Sequence, residues 1–185
     1  MVYLNDDIAH LDWQAALPLL SEQRRQQVLQ FKYEMGRKTC AGAYLLLCEA
    51  LRKEYHITEL PIFEYGEHGK PFIKGHPEIH FNISHCKEAV ACVTSPRPVG
   101  IDVESIRSYR ESLVHYTMNE KEVEQIEHAE RPDVEFIRLW TRKEAMLKLT
   151  GEGLTNDLKS VLTGSEQIET TVNMEKNYVW SVVFA

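Results

Sequence analysis

Two carboxylates share one face of an apolar strand in the stretch VGIDVES, residues 99–105, where Asp102 and Glu104 alternate with Val99, Ile101 and Val103. A third lies on a helix. In DVEFIRLWTRKEAMLKLTG, Phe136, Trp140, Glu144 and Lys148 stand at successive i, i+4 spacings, so a strip that begins aromatic ends in a carboxylate and an ammonium. Carboxylates leaving core faces are the oxygen donors a hard cation takes. Magnesium uses only a few of them and keeps water or substrate phosphate for its other positions. Each residue also has a plainer reading: a solvent-facing edge of a half-buried strand for Asp102 and Glu104, and a solvated ion pair worth about 0.3–0.5 kcal/mol for Glu144 and Lys148. Anion-binding groups precede them in the chain. In GKPFI, Gly69 and Pro71 shape a turn that presents Lys70, and in FNISHC the pair Ser84 and His85 follows a short apolar strand. These suit phosphate oxygens, or are a surface lysine and a turn cap. No acid is placed behind His85 to build a nucleophilic triad.

These side chains need elements to hold them. The pattern predicts a helix after Ser21 and a stronger one over GRKTCAGAYLLLCEALRKEY, where Ala41, Leu45, Cys48 and Leu51 keep helical spacing. IHFNISHC and EAVACVTS read as strands. The prolines of TSPRPVG, residues 94–100, then divide the chain into halves of about equal length. In the second half, Asn119 with Glu122 three residues on marks a helix start, Pro132 opens a longer helix that ends before Gly151, and NYVWSVVFA is a closing strand. No internal repeat is evident. Helices and strands mixed without a βαβ rhythm predict an α+β fold.

Composition narrows the function classes. At 185 residues the chain suits one domain or two closely packed halves, and a net charge of −7 with pI near 5.6 argues against nucleic acid as a general partner. No run approaches the ~18 apolar residues of a membrane span, and MVYLNDDIAHLDW is too acidic for a signal peptide. A cytoplasmic protein without nucleic-acid or membrane partners is expected. Its four cysteines, lacking C-x-x-C spacing, are expected to be reduced thiols.

The order of the motifs adds a resemblance. GKPFI, FNISHC, VGIDVE and WTRKEAMLK followed by GEGL, spanning Gly69 to Leu154, resemble the signature of the 4'-phosphopantetheinyl transferases of the surfactin-synthetase-activating (Sfp) type. The resemblance implies two similar α+β halves in one chain, a pseudo-dimer with the active site between them. Residues 1–96 would form the coenzyme A 3'-phosphate side and residues 97–185 the magnesium and catalytic side. It implies transfer of the phosphopantetheine arm of coenzyme A to a serine of an apo acyl or peptidyl carrier protein, with release of adenosine 3',5'-bisphosphate. Asp102, Glu104 and Glu144 would hold Mg2+. Glu144 would also be the base for the serine proton, and Lys148 would contact the phosphate under attack. Lys70 would neutralise the pyrophosphate, and Ser84, His85 and one of Arg37 and Lys38 would hold the 3'-phosphate. The segment SYRESLVHYTMNEKEV, with Tyr116, Thr117 and Met118 as its least charged part and Arg107 and Arg110 upstream of them, would dock the carrier. A monomer is expected. Two other readings remain at this point: a magnesium-dependent phosphohydrolase acting on another diphosphate, and a catalytically silent carrier-binding protein.

Overall fold

Ser21 accepts a hydrogen bond from the Arg24 amide and starts a helix where the sequence expects one. The computed structural model describes residues 1–66, 69–151 and 157–185. Its first half runs β1 (Val2–Asn5), α1 (Trp13–Ala16), α2 (Glu22–Gln30), α3 (Glu34–Tyr55), β2 (Phe63–Tyr65), β3 (Pro71–Ile73), β4 (His80–His85) and β5 (Val90–Ser95). Strands β1, β5 and β4 form an antiparallel sheet in that order, and α3 packs across it. The buried face of α3 carries Cys40, Ala43, Tyr44, Leu47, Ala50 and Leu51, whereas Leu45 and Cys48 are only partly buried. Of the stripe read from the sequence, Ala41 and Leu51 therefore belong to the buried face, and Leu45 and Cys48 lie at its rim. Helices α1 and α2 cover α3 from outside the sheet, so more than one side of it is apolar and the periodicity blurs. The side-chain amide of Gln23 bonds both the amide and the carbonyl of Phe63, fixing the β2–β3 hairpin to α2.

The second half repeats this plan. It runs β6 (Val99–Ser105), α4 (Glu111–Thr117), α5 (Glu120–Glu127), α6 (Pro132–Thr150), β7 (Ile168–Asn173) and β8 (Tyr178–Phe184). Its sheet has the order β6-β8-β7, again first strand, last strand, penultimate strand, with one long helix packed on it. Asn119 and Glu122 form a capping box at the start of α5, and Gly151 ends α6 in the left-handed conformation at φ 75°. Lys143 of the W-T-R-K-E stretch is fully buried, paired with Glu122 at 2.8 Å and donating to the Leu158 carbonyl at 2.8 Å, so it anchors α6 to its neighbours.

Gly100 lets α6 approach β6. A Cβ there would stand 2.0 Å from the Ala145 carbonyl oxygen and 2.6 Å from the Leu149 nitrogen, both backbone atoms with little room to yield. Gly100→Ala is expected to destabilise the protein by about 3 kcal/mol, read as a lowered urea midpoint at unchanged slope. An unaltered midpoint would show that the helix can step back freely.

The halves meet where β4 runs beside β6. Even-numbered side chains of β4 point at β6: Asn82 Oδ1 accepts from the Ile101 amide at 2.9 Å, and Ser84 Oγ accepts from the Val103 amide at 3.3 Å. The free edge of β6 is thus satisfied by side chains instead of another strand. This seam corrects the strand reading. Asp102 does not face solvent; it is 4% exposed, because the face opposite Val99, Ile101 and Val103 is covered as well.

Candidate active site

The seam assembles a buried polar cluster from three elements. Asp102 Oδ1 on β6 accepts from Ser84 Oγ on β4 at 2.8 Å and from Lys148 Nζ on α6 at 2.6 Å, and Lys148 Nζ also donates to Ser84 Oγ at 2.9 Å. The other oxygen, Oδ2, is buried and has no hydrogen-bond partner. A buried carboxylate oxygen left unpaired is costly and marks a place where a cation fits. Glu104 is half-buried two residues along the same strand, and Glu144 is half-buried one helical turn before Lys148. Burial, then the charge of Asp102, raises the pKa of Glu104, while Arg107, Trp140 and Lys148 pull it back. Glu144 is raised by burial first and by Asp102 next, with Lys148 opposing. These mutual repulsions mean that the three carboxylates sense one another across the seam. No group of three described His, Cys, Asp or Glu residues is drawn together into a ready metal cage. The strip from Phe136 through Trp140 to Glu144 and Lys148 runs as its spacing predicts, from a buried aromatic to half-buried charges, with the two rings 6.4 Å apart.

Other sequence-derived candidates are divided among separate places. Lys70 spans from the β2–β3 hairpin to the second half, where Nζ donates to the Lys148 and Leu149 carbonyls at 2.7 and 2.8 Å and its side chain packs against Gly151. It caps the C-terminus of α6, and burial lowers its pKa. Ser84 and His85 diverge because consecutive strand side chains point to opposite faces. Ser84 joins Asp102, while His85 lines a cavity of about 520 Å³ with Arg24, Gln27, Gln30, Phe31, Cys40, Ala43 and Ile83. The pKa of His85 is lowered, chiefly by desolvation and then by Lys148 and Arg24. Neither Arg37 nor Lys38 lines that cavity. Arg37 Nε donates to the Phe31 carbonyl at 2.9 Å and its guanidinium lies 4.7 Å from the Trp13 ring centre. Lys38 Nζ donates to the Ala9 carbonyl at 2.6 Å and pairs with Glu34 at 3.1 Å.

The cation in the cavity is Arg24, which sequence reading passes over. Its guanidinium rests 4.9 Å from the Phe63 ring centre and 5.4 Å from that of Tyr44, Nη1 donates to Cys40 Sγ at 3.5 Å, and Nε is buried without a partner. Its supports come from α3 and β2, far along the chain. The local signal was only an arginine in the first turn after an N-cap.

A second cavity, about 640 Å³, opens beside Glu104 and is lined by Arg107, Tyr109, Arg110, Leu113, Tyr116, Phe136 and Trp140 among others. Leu113 and Tyr116 are exposed on α4, whereas Thr117 and Met118 are each only 1% exposed and belong to the core. The surface suggested by Tyr116, Thr117 and Met118 therefore reduces to Tyr116, joined by Leu113. The GEGL motif after α6 falls partly on residues 152–156, outside the described residues.

Comparison with known proteins matches both halves. Residues 98–184 match the family described as the 4'-phosphopantetheinyl transferase superfamily, and residues 8–97 match 4'-phosphopantetheinyl transferase, N-terminal. The 4'-phosphopantetheinyl transferase psf-1 of Bacillus pumilus is 31% identical over 161 residues, which is 85% of this chain and 69% of that protein. The chain belongs to the 4'-phosphopantetheinyl transferase superfamily. A 4'-phosphopantetheinyl transferase of Bacillus subtilis is similarly related, 29% identical over 86% of this chain and 72% of its own length. The transferase gsp of Aneurinibacillus migulanus is 36% identical over 69% of this chain and 56% of that protein. The pseudo-dimeric transferase fold inferred from motif order agrees with these matches and with the repeated strand order of the two sheets. No helix among the described residues is long and apolar enough to cross a membrane.

Proposed function

We propose that this chain transfers the 4'-phosphopantetheine arm of coenzyme A to a serine of an apo acyl or peptidyl carrier protein. The reading rests on the cluster of Asp102, Glu104, Glu144 and Lys148 at the seam of a chain that belongs to this superfamily. The orphaned oxygen of Asp102 and the crowded carboxylates fit Mg2+, which Asp102, Glu104 and Glu144 would hold together with donor phosphate. Bound there, the ion would supply charge neutralisation on the pyrophosphate. In the transfer, the serine oxygen forms a bond to the phosphorus nearest the pantetheine arm. The phosphoanhydride bond breaks, and adenosine 3',5'-bisphosphate leaves with the electron pair. Glu144 accepts the serine proton, directly or through one water. Lys148 contacts the phosphoryl group, and Lys70 keeps the end of α6 in place beside it. The first half, residues 1–96, takes the nucleotide end of the donor, and residues 97–185 take the metal and the chemistry.

The cavity around His85 and Arg24 suits the donor's 3'-phosphate. A dianion would give the Arg24 guanidinium, whose Nε is unpartnered, a counter-charge and draw a proton onto His85, with charge-assisted bonds worth about 1.5–3 kcal/mol each. His85→Ala and Arg24→Gln are each expected to lower kcat/KM for coenzyme A by about 10-fold or more while hardly altering dephospho-coenzyme A. Equal losses with both donors would make these residues structural. Because burial and the nearby cations Lys148 and Arg24 lower the pKa of the free His85, phosphate binding takes up a proton there, and the preference for coenzyme A over dephospho-coenzyme A is expected to weaken as pH rises.

The carrier would approach the groove beside Glu104, where exposed Leu113 and Tyr116 give apolar contact and Arg107 and Arg110 face an acidic helical partner. Both halves of the site lie in one chain, so the protein acts as a monomer, and its free thiols suit the cytoplasm. The deciding experiment incubates the protein with coenzyme A, magnesium and an apo carrier and weighs the carrier. A gain of one phosphopantetheine is expected. An unmodified carrier with coenzyme A consumed would indicate a hydrolase instead.

A further inference from the structure

Lys148 stands where a metal ligand set has its strongest charge. Its ammonium is 2.6 Å from Asp102 Oδ1 and 2.9 Å from Ser84 Oγ, while Arg107 reaches Glu104 only at 3.9 Å and Lys70 is occupied by backbone carbonyls. The cluster thus leans on one close cation. We infer that Lys148 is the site's internal stand-in for the divalent cation: it and the metal compete for Asp102, and metal binding turns its ammonium away toward the donor phosphate. The inference rests on reading Asp102, Glu104 and Glu144 as the metal ligands.

Two cations drawn to one carboxylate repel each other strongly where water is scarce, and Asp102 is almost wholly buried. The partner free to move is the lysine. Asp102 is fixed on a strand in the middle of the seam, whereas Lys148 carries a flexible four-carbon stem with a side chain 28% exposed. Its displacement would also explain two roles for one residue, counter-ion to the empty carboxylates and contact to the phosphoryl group. Magnesium alone would bind weakly against this competitor. With the donor present, phosphate oxygens receive the displaced ammonium, so metal and donor favour each other's binding.

The test uses the metal alone with donor-free protein. Calorimetric titration with Mn2+ is expected to show Lys148→Gln binding at least ~10-fold more tightly than the parent, equivalent to about 1.4 kcal/mol, and Lys148→Arg binding like the parent. The parent itself supplies an independent reading. Acylation of lysines by a small amine-reactive ester, mapped by peptide mass, should label Lys148 faster once Mg2+ is added, with buried Lys143 silent and exposed Lys53 constant. Metal binding by the parent that Lys148→Gln leaves equal or weakens, or Lys148 labelling indifferent to Mg2+, overturns the competition. Failure of both proteins to bind metal overturns the ligand assignment beneath it. Neither readout involves a carrier, so transferase activity is judged separately.

Discussion

Asp102→Asn lowers carrier modification by on the order of 10³-fold. The substitution keeps the shape of the side chain and an oxygen that accepts from Ser84, but removes the charge that holds Lys148 and would hold the metal. Charge neutralisation by a bound cation is worth several kcal/mol at a phosphoryl centre, and each 1.36 kcal/mol is about tenfold in rate. Asn is chosen over Ala for a structural reason. On a solvent-facing strand the truncation would be harmless, but Asp102 is buried and supports a half-buried ammonium, so Asp102→Ala would lose stability along with activity. Single-turnover measurement of carrier mass, beside a thermal melt, separates the two effects. Near-parental transfer by Asp102→Asn would remove the carboxylate from the chemistry.

Glu144→Gln is expected to lower kcat by on the order of 10² or more, while coenzyme A still binds, because the amide cannot take the serine proton. The same change should raise the melting temperature of the metal-free protein at neutral pH. Burial and the charges of Asp102 and Glu104 raise the folded-state pKa of Glu144 above its unfolded value. A group shifted in that direction favours the fold fully below its unfolded pKa, and that contribution is lost as pH rises through the folded pKa. At neutral pH the ionised Glu144 therefore opposes folding. Gln removes the opposition, and the advantage over the parent should vanish toward pH about 4, where the parent carboxyl is protonated. A Gln variant that melts lower than the parent at every pH would mean that Glu144 makes stabilising contacts outweighing its charge. A Gln variant that transfers at the parent rate would end its role as base.

Such pairing of lost activity with gained stability is expected of a site whose carboxylates are crowded for a ligand. The seam concentrates that crowding at Asp102, Glu104 and Glu144. Elsewhere the buried ion pair of Lys143 and Glu122 is fully compensated and serves the packing of α6.

The amino-acid order by itself determined the local signals: Ser21, Asn119 with Glu122, and Pro132 with Gly151 as helix ends, the strands of FNISHC and VGIDVES, and the i, i+4 strip ending at Glu144 and Lys148. These depend on neighbours within a few residues, and so did the motif order that pointed to the family. The short strands β1, β2 and β7 carried too little pattern to be read, and the repeat hidden in the two sheets lies in strand pairing, not in residue identity. Only the tertiary structure decided which face of each strand is covered. It buried Asp102 against β4, sent Ser84 and His85 to different sites, took Thr117 and Met118 into the core, and gave Arg37, Lys38 and Lys70 backbone partners. It also put Arg24 between rings from α3 and β2. The physical reason is common to all of these. A side chain's charge and type are fixed by the sequence, but its solvation and its partner depend on which distant segment closes over it, and that is settled when the two halves meet along β4 and β6.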